Sequence, residues 1–558
     1  MKFLCVLCLF CGLSVSGLAL DREAFTFTKY DLHLRLEPEQ QRLGVRGAIT
    51  LRNDSDVPQQ SLALQISSTL TWRSIQLDHE PLEFISQSYT SDIDHTGSLS
   101  EVIVTLPKAV PAKGVIQLTI GYEGVVRRDA TRLTRIGVPE NAAKDTDWDT
   151  ISNEFTAVRG IGYVTWYPIA AEAANLSEGS AFTIIERWKS RHRDSSMAVT
   201  FDQPALPLFF NGIQGDKLEN AIGYTIAHFG ANVPVFAMAD YKSLPTRNGS
   251  SINFLFGSEA AAKAYAALLA RVNPPPFLRG NRDLQVLQLP NNEAAPFVSD
   301  SILLSPLNVP ISTDAELNTV YALARQSKIS ERLWIQDGLA HYAQLEHIEK
   351  AGGRSLVLAY LTIRRSLLSD PVKNQQTSPQ PATADSLINS GDDPKSQMKA
   401  MWVWWMLGEM CGEDVVPQSM ANYQSAADRE PSYMQHLLEA ACKKDLEWFF
   451  DDWVYRDKGL PDFHITTVFP RKNLKEGYLT TVTVENLGNA GAEVPVTLHD
   501  DRGNFTEKLL VKGKSQATVR FSTTYLPDQV TVNDGSVPES DFNNNTFKVE
   551  SATEKPSP

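Results

Sequence analysis

Histidine and cysteine are scarce in this chain, with ten histidines and five cysteines in 558 residues. Cys5, Cys8 and Cys11 crowd the amino terminus, so the remainder holds only Cys411 and Cys442. That excludes a fold stapled by a disulfide framework. The two remaining cysteines either form one bond in an oxidising compartment or sit as small buried hydrophobes, and the sequence leaves both open. Beyond the first 20 residues no apolar run is long enough to span a bilayer. Blocks of like charge are absent as well: 52 Lys and Arg oppose 66 Asp and Glu, a formal charge of −14 scattered along the chain. This argues against nucleic acid or an anionic membrane as the main partner.

The amino terminus carries the marks of export. Lys2 precedes an apolar run from Phe3 to Leu13, and small residues end in Gly17-Leu18-Ala19. A short positive region, a brief apolar stretch and small side chains before the cut describe a signal peptide over 1–19, cleaved after Ala19, and predict a secreted or periplasmic protein.

The rest is too long for one core and is expected to hold about three domains, a multidomain α+β fold. Over 20–254 short runs alternate, as in Tyr30-Asp-Leu-His-Leu-Arg-Leu36 and Val102-Ile-Val-Thr-Leu106, which predicts an antiparallel β-domain. The aromatic stretch Gly160 to Pro168 reads as core or a domain contact. Over 255–463 helical periods dominate, beginning at Ser258, a good N-cap for the Ala-rich segment that follows. A polar stretch from Lys373 to Pro394 reads as a flexible surface loop. Over 464–551 alternation returns in Thr481–Val484, Val494–Leu498 and Ala517–Phe521, the pattern of an Ig-like β-sandwich. The tail 552–558 reads as disordered.

Two helices in the middle segment carry the chemistry. Thr313 and Glu316 form a capping box, and Leu317, Val320, Tyr321 and Ala324 give the first helix its apolar face. A second helix runs from Arg332 to Gly352-Gly353. Its segment Trp334-Ile-Gln-Asp-Gly-Leu-Ala-His-Tyr342 resembles the W-L-N-E-G-F-A-x-Y segment of the gluzincin aminopeptidases, the family of membrane alanyl aminopeptidase. Lys399-Ala-Met-Trp-Val-Trp-Trp-Met-Leu407 is similar to that family's Y-x-K-G-x-x-V-L-x-M-L helix. Asp445 to Trp453, followed by Gly459-Leu-Pro-Asp462, is similar to its closing helix. The resemblance covers most of residues 24–463 and implies a thermolysin-like, mainly helical middle domain.

Against that pattern the departures fall on the zinc site. Family members carry H-E-x-x-H one helix earlier, where two histidines bind zinc and the glutamate acts as general base. No histidine occurs between Thr313 and Lys328. The register places Tyr321 and Arg325 over the two ligands and Ala322 over the base. Asp337 stands at the third ligand, one methylene short of Glu, and Gln397 where the oxyanion-stabilising Tyr would be. Asn291 to Phe297, with Glu293, occupies the approximate place of the amine-binding G-x-M-E-N. His341 and His347, six apart, do not share a helix face, and His341 is expected at the surface or between domains. A catalytic zinc site needs about three protein ligands and an open position for water, and Asp337 alone does not supply them. No metal or other cofactor is therefore expected; zinc would imply a different register. Instead, the Arg325 guanidinium is expected to pair with Asp337, with Tyr321 adding a hydrogen bond. Glu293, Tyr321, Arg325 and Asp337 are the candidate cleft residues.

The carboxy-terminal module resembles the bacterial adhesion-related sandwich called CARDB, through Val482 to Ala490 and Val532 to Asn545. Within it Asp541, Asn543 and Asn545 share the spacing of a calcium loop but lack its Gly and distal Glu, so they read as a turn. The leading expectation is an exported, aminopeptidase-like protein without catalysis, binding peptides, proteins or the cell envelope. An active metallo-aminopeptidase with non-standard ligands and a plain envelope adhesion protein are the alternatives.

Overall fold

A computed structural model describes residues 20–230, 232–246, 249–279, 283–307, 313–327, 329–368, 386–389, 394–473 and 476–549. The expected signal peptide, most of the polar stretch after Lys373 and the tail 552–558 lie outside the described residues. Among the described residues, no helix is long and apolar enough to cross a membrane.

The chain folds as a multidomain α+β protein. Its amino-terminal part is built on an eight-stranded sheet packed against the three strands Gln59–Ser67, Ser98–Val110 and Phe84–Thr90. Alternation places Tyr30, Leu32 and Leu34 on the buried face, each fully buried. The sheet is mixed rather than antiparallel throughout. Its central strand Phe25–Glu37 runs antiparallel to Arg42–Asn53 but parallel to Ser196–Asp202. A parallel neighbour requires a crossover, and this one includes a helix that the period-two pattern concealed. Three helices lie in this part: α1 (Thr131–Arg135), α2 (Glu140–Thr146) and α3 (Ser180–Arg191). α3 lays Ala181, Ile184 and Trp188 into the core. The aromatic stretch is core too, with Trp166 and Tyr167 fully buried.

Strand Lys242–Pro245 pairs with Ser251–Phe254, which pairs in turn with Gln285–Leu289 in a five-stranded sheet, so these strands before residue 254 share a sheet with the middle of the chain. That sheet meets the strands Phe155–Arg159 and Val235–Ala239 through a shared apolar layer. Among the described residues, eight helices follow in the middle part: α4 (Glu259–Arg271), α5 (Thr313–Arg325), α6 (Leu333–Gly352), α7 (Arg354–Arg364), α8 (Pro394–Cys411), α9 (Val415–Asn422), α10 (Tyr433–Cys442) and α11 (Glu447–Phe450). Ser258 precedes α4 as expected, but its hydroxyl accepts from the Gln288 amide at 3.0 Å and makes no cap bond. α6 and α8 form the centre of the bundle and are buried along most of their length. Cys411 and Cys442 form a disulfide joining the carboxy ends of α8 and α10.

The carboxy-terminal strands form a three-stranded and a four-stranded sheet. A π-turn over Asp451–Tyr455 joins this module to the helices. There Trp453 Nε1 donates to the Gly491 carbonyl and Gly491 N–H donates to Asp452, both at 2.8 Å. Glu539, buried, accepts from Phe463 N–H at 3.1 Å, from the Asn533 amide at 2.8 Å and from the Asn545 amide. Asn543 N–H donates to Asp541 at 2.8 Å, an Asx turn before the strand Thr546–Lys548.

Candidate functional site

α5 and α6 pack side by side because each turns an apolar stripe inward and α6 supplies buried amides to α5's backbone. Gln336 Nε2 donates to the Arg325 carbonyl and Gln344 Nε2 to the Leu317 carbonyl, each at 2.8 Å. The first bond satisfies a carbonyl at the end of α5, where the helix itself offers no donor. At the start of α5, the Glu316 carboxylate accepts from Arg271 at 3.2 Å, with His347 Nε2 3.5 Å away.

Tyr321, Arg325 and Asp337 meet between these helices. Arg325 Nε lies 3.2 Å from Asp337 Oδ1, and Arg325 Nη1 donates to the Tyr321 hydroxyl at 3.1 Å. The hydroxyl in turn points to Asp337 Oδ1 across a long 3.5 Å. Asp337 is 2% exposed and Arg325 is largely covered. The Tyr321 ring also lies against the His341 imidazole, centroids 4.6 Å apart, and His341 Nδ1 faces Gln344 Oε1 at 2.8 Å. His341, expected at the surface or between domains, is therefore a half-buried packing partner of α5. Its position one turn after Asp337 on α6 brings it over Tyr321.

The donor set does not fit zinc. Tyr321 and Arg325 flank one carboxylate, the guanidinium pairs with it, and Ala322 is a fully buried methyl in the core. Among the described residues, no group of three or more His, Cys, Asp or Glu side chains is placed to hold a metal ion.

The other two candidate residues lie apart from this cluster. Glu293 is exposed in the turn after Gln285–Leu289, where the neighbouring Asn291 amide donates to Asp145 at 2.6 Å. Among the described residues, no hydrogen bond or ion pair joins Glu293 to Tyr321, Arg325 or Asp337. Gln397 is half-buried in the first turn of α8.

A cavity of about 1000 Å3 opens between α3 and the amino ends of α6 and α8, and Tyr321, Arg325, Asp337 and Glu293 are not among its lining residues. Two buried ion pairs build its floor. Lys399 Nζ lies 2.8 Å from Asp457; burial pushes the Asp457 carboxyl up, but Lys399 holds it below the usual carboxylate range. Arg332 Nε donates to Asp428 at 2.8 Å, and the Tyr423 hydroxyl donates to the same carboxylate at 2.7 Å. Lys399 lies in a segment quoted for its resemblance, but no pattern in the sequence points to Asp428 or Asp457 as its neighbours in this wall.

No protein-family model matches the sequence, and no curated protein matches it. Among solved structures, the chain is similar to an M1 zinc metallopeptidase from Deinococcus radiodurans, a mutant bound to a Tyr-Ser-Ala substrate. The identity is 13%, the match covers 80% of this chain and 97% of that chain, and the TM-score is 0.48.

Proposed function

We propose that this chain is an exported binding protein on an aminopeptidase-like scaffold that retains the helices of a peptidase centre without its chemistry, and that its ligands are peptides or peptide segments of proteins. The observation that carries this is the Arg325–Asp337 pair: a fixed cation sits against the carboxylate that the sequence resemblance sets at a metal ligand's place. A zinc ion placed there would meet a guanidinium instead of two imidazoles. Without metal-bound water, and with Ala322 in place of a general base, hydrolysis lacks both nucleophile and proton acceptor. The Cys411–Cys442 disulfide supports an oxidising, exported location.

Zinc per mole of purified chain, measured by elemental analysis after equilibration with buffered zinc, tests this reading. A ratio near zero with no cleavage of an alanyl anilide is the expected result. One tightly held zinc accompanied by anilide cleavage overturns it.

A further inference from the structure

The carboxy-terminal module closes on itself where its first strand begins and its last strand is entered. Asp462 immediately precedes the strand Phe463–Lys472, and Asn544 and Asn545 immediately precede Thr546–Lys548. The Asn544 amide donates to Asp462 Oδ1 at 3.0 Å, and the Asn545 amide donates to Glu539. Glu539 lies beside Asp462, because its carboxylate also accepts from the N–H of Phe463, the next residue along, at 3.1 Å. Asp541 and Asn543 stand apart from this cluster. Asn543 donates to Asp541 from both its backbone and its amide, at 2.8 and 2.9 Å, in the exposed turn.

These bonds leave two features of the cluster unexplained. One is charge. Among the described residues, no ion pair joins Asp462 or Glu539 to a Lys, Arg or His, and Lys458, just upstream, is committed to Asp451 and Asp452. Burial, with the Asp462 charge beside it, pushes the Glu539 carboxyl up to about 7 against the pull of its three donors. The other is oxygen. Asn545 is 5% exposed, and its amide oxygen and that of Asn544 are buried without a hydrogen-bond donor. A buried acceptor ordinarily finds a donor, and a buried acid ordinarily finds a cation or a proton. Amide oxygens without donors beside carboxylates without cations make the surroundings of a hard metal ion.

We infer that Asp462, Glu539, Asn544 and Asn545 bind one calcium ion. Each amide turns its NH2 towards a carboxylate, and a half-turn about the side-chain bond puts its oxygen there within the same volume. Every ligand in the set is an oxygen. Two carboxylates fall short of a group of three or more His, Cys, Asp or Glu side chains, which the described residues do not contain, so a transition metal is not the ion. Calcium counts amide oxygens and water among its roughly six to eight ligands, and its flexible shell suits side chains on a turn better than magnesium's strict octahedron does. The ion ties the module's first strand to its last. It also braces the junction with the helices, since Ser540 N–H donates to the Pro461 carbonyl at 3.0 Å, one residue before Asp462. None of this depends on whether the Arg325–Asp337 centre is catalytic.

Titration calorimetry with calcium chloride, on the purified chain stripped by a chelator and returned to metal-free buffer, tests the site. One calcium per chain is expected, with a Kd between about 0.1 and 1 mM, and magnesium at least about tenfold weaker. Calcium at about tenfold its Kd is expected to raise the thermal midpoint of the carboxy-terminal part by about 2–4 °C. Asp462→Asn is expected to weaken binding about tenfold or more, and Asn544→Ala, which keeps both acids, about threefold or more. Asp541→Asn in the exposed turn is expected to change nothing. Melts in chelator confirm that each variant is folded, and if Asp462→Asn is not, Asn544→Ala decides. A folded chain that takes up no calcium at about 20 mM overturns the inference. So does binding that the folded variants at 462 and 544 leave intact, and so does an equal loss in Asp541→Asn, which moves the ion to the exposed turn.

Discussion

Removing the Arg325 guanidinium takes a cation from 3.2 Å away from a carboxylate that is 2% exposed. A buried charge deprived of its partner is costly, so Arg325→Ala is expected to lose about 2–4 kcal/mol in urea denaturation. Asp337→Asn in the same chain should return part of that loss, because it removes the buried negative charge. An unchanged midpoint in the single variant would count against the pair. Glu539 behaves in the opposite sense. Burial pushes its carboxyl up to about 7 from an ordinary 4.5, despite the donors of Asn545, Phe463 and Asn533. Between those two values the folded protein keeps a proton that the unfolded chain has released. Stability is therefore greatest at the acid end of the window and falls as pH rises from about 4.5 to about 7, by an amount of order 3 kcal/mol. Denaturation midpoints from pH 5 to 8 should show this slope, and Glu539→Gln should flatten it.

α6 and α8 owe their closeness to Gly338. A methyl group there would meet the Trp404 ring at 2.7–2.8 Å and the Ala400 methyl at 2.9 Å, and Trp404 is held by a 3.1 Å bond to the Trp334 carbonyl and by stacking on the Trp334 indole. Alanine favours a helix over glycine by about 1 kcal/mol, yet here the clash outweighs that preference. Gly338→Ala is expected to destabilise by about 1–3 kcal/mol, read as a lower thermal midpoint. The disulfide ties the far end of α8 to α10 instead. Cys411 and Cys442 are 31 residues apart, and replacing both with Ser should cost about 3–4 kcal/mol through freedom regained by the unfolded chain. These helices were legible in the sequence because 3.6-residue periods and Gly352-Gly353 mark them locally. The meeting of Arg325 with Asp337 was legible as well, since the family register read onto α5 and α6 turns Tyr321 and Arg325 towards Asp337. The pairing of the two cysteines was not, because either state satisfies the composition. Nor was the cavity: its wall draws on α3, on the starts of α6 and α8 and on Asp428 and Asp457, which only the tertiary fold brings together.

At the scale of the molecule, one apolar cluster runs without a break from Ile252 in the five-stranded sheet, through α6 and α8, to Val537 in the last module. The carboxy-terminal strands and the helical part are therefore expected to unfold together, as one calorimetric transition, while the amino-terminal sheet with its own cluster gives another. A separate transition for the last module alone would contradict the shared core. The changes from strand to helix and back to strand were readable from the changing periodicity. The core shared by the helical part and the last module was not, because alternation in a strand shows that one face is buried but not against what. The mixed sheet was hidden for a related reason: a strand's pattern does not reveal the direction of its neighbour. That parallel pairing has a consequence in time. During synthesis the strand Phe25–Glu37 emerges early and finds Arg42–Asn53 at once, yet its other edge stays bare until residues 196–202 have been made. Through that interval the nascent chain exposes a row of unpaired backbone N–H and C=O groups to any neighbour able to add a strand. A chaperone that holds the growing polypeptide until its two-hundredth residue or so would raise the yield of native protein far more than one supplied after release.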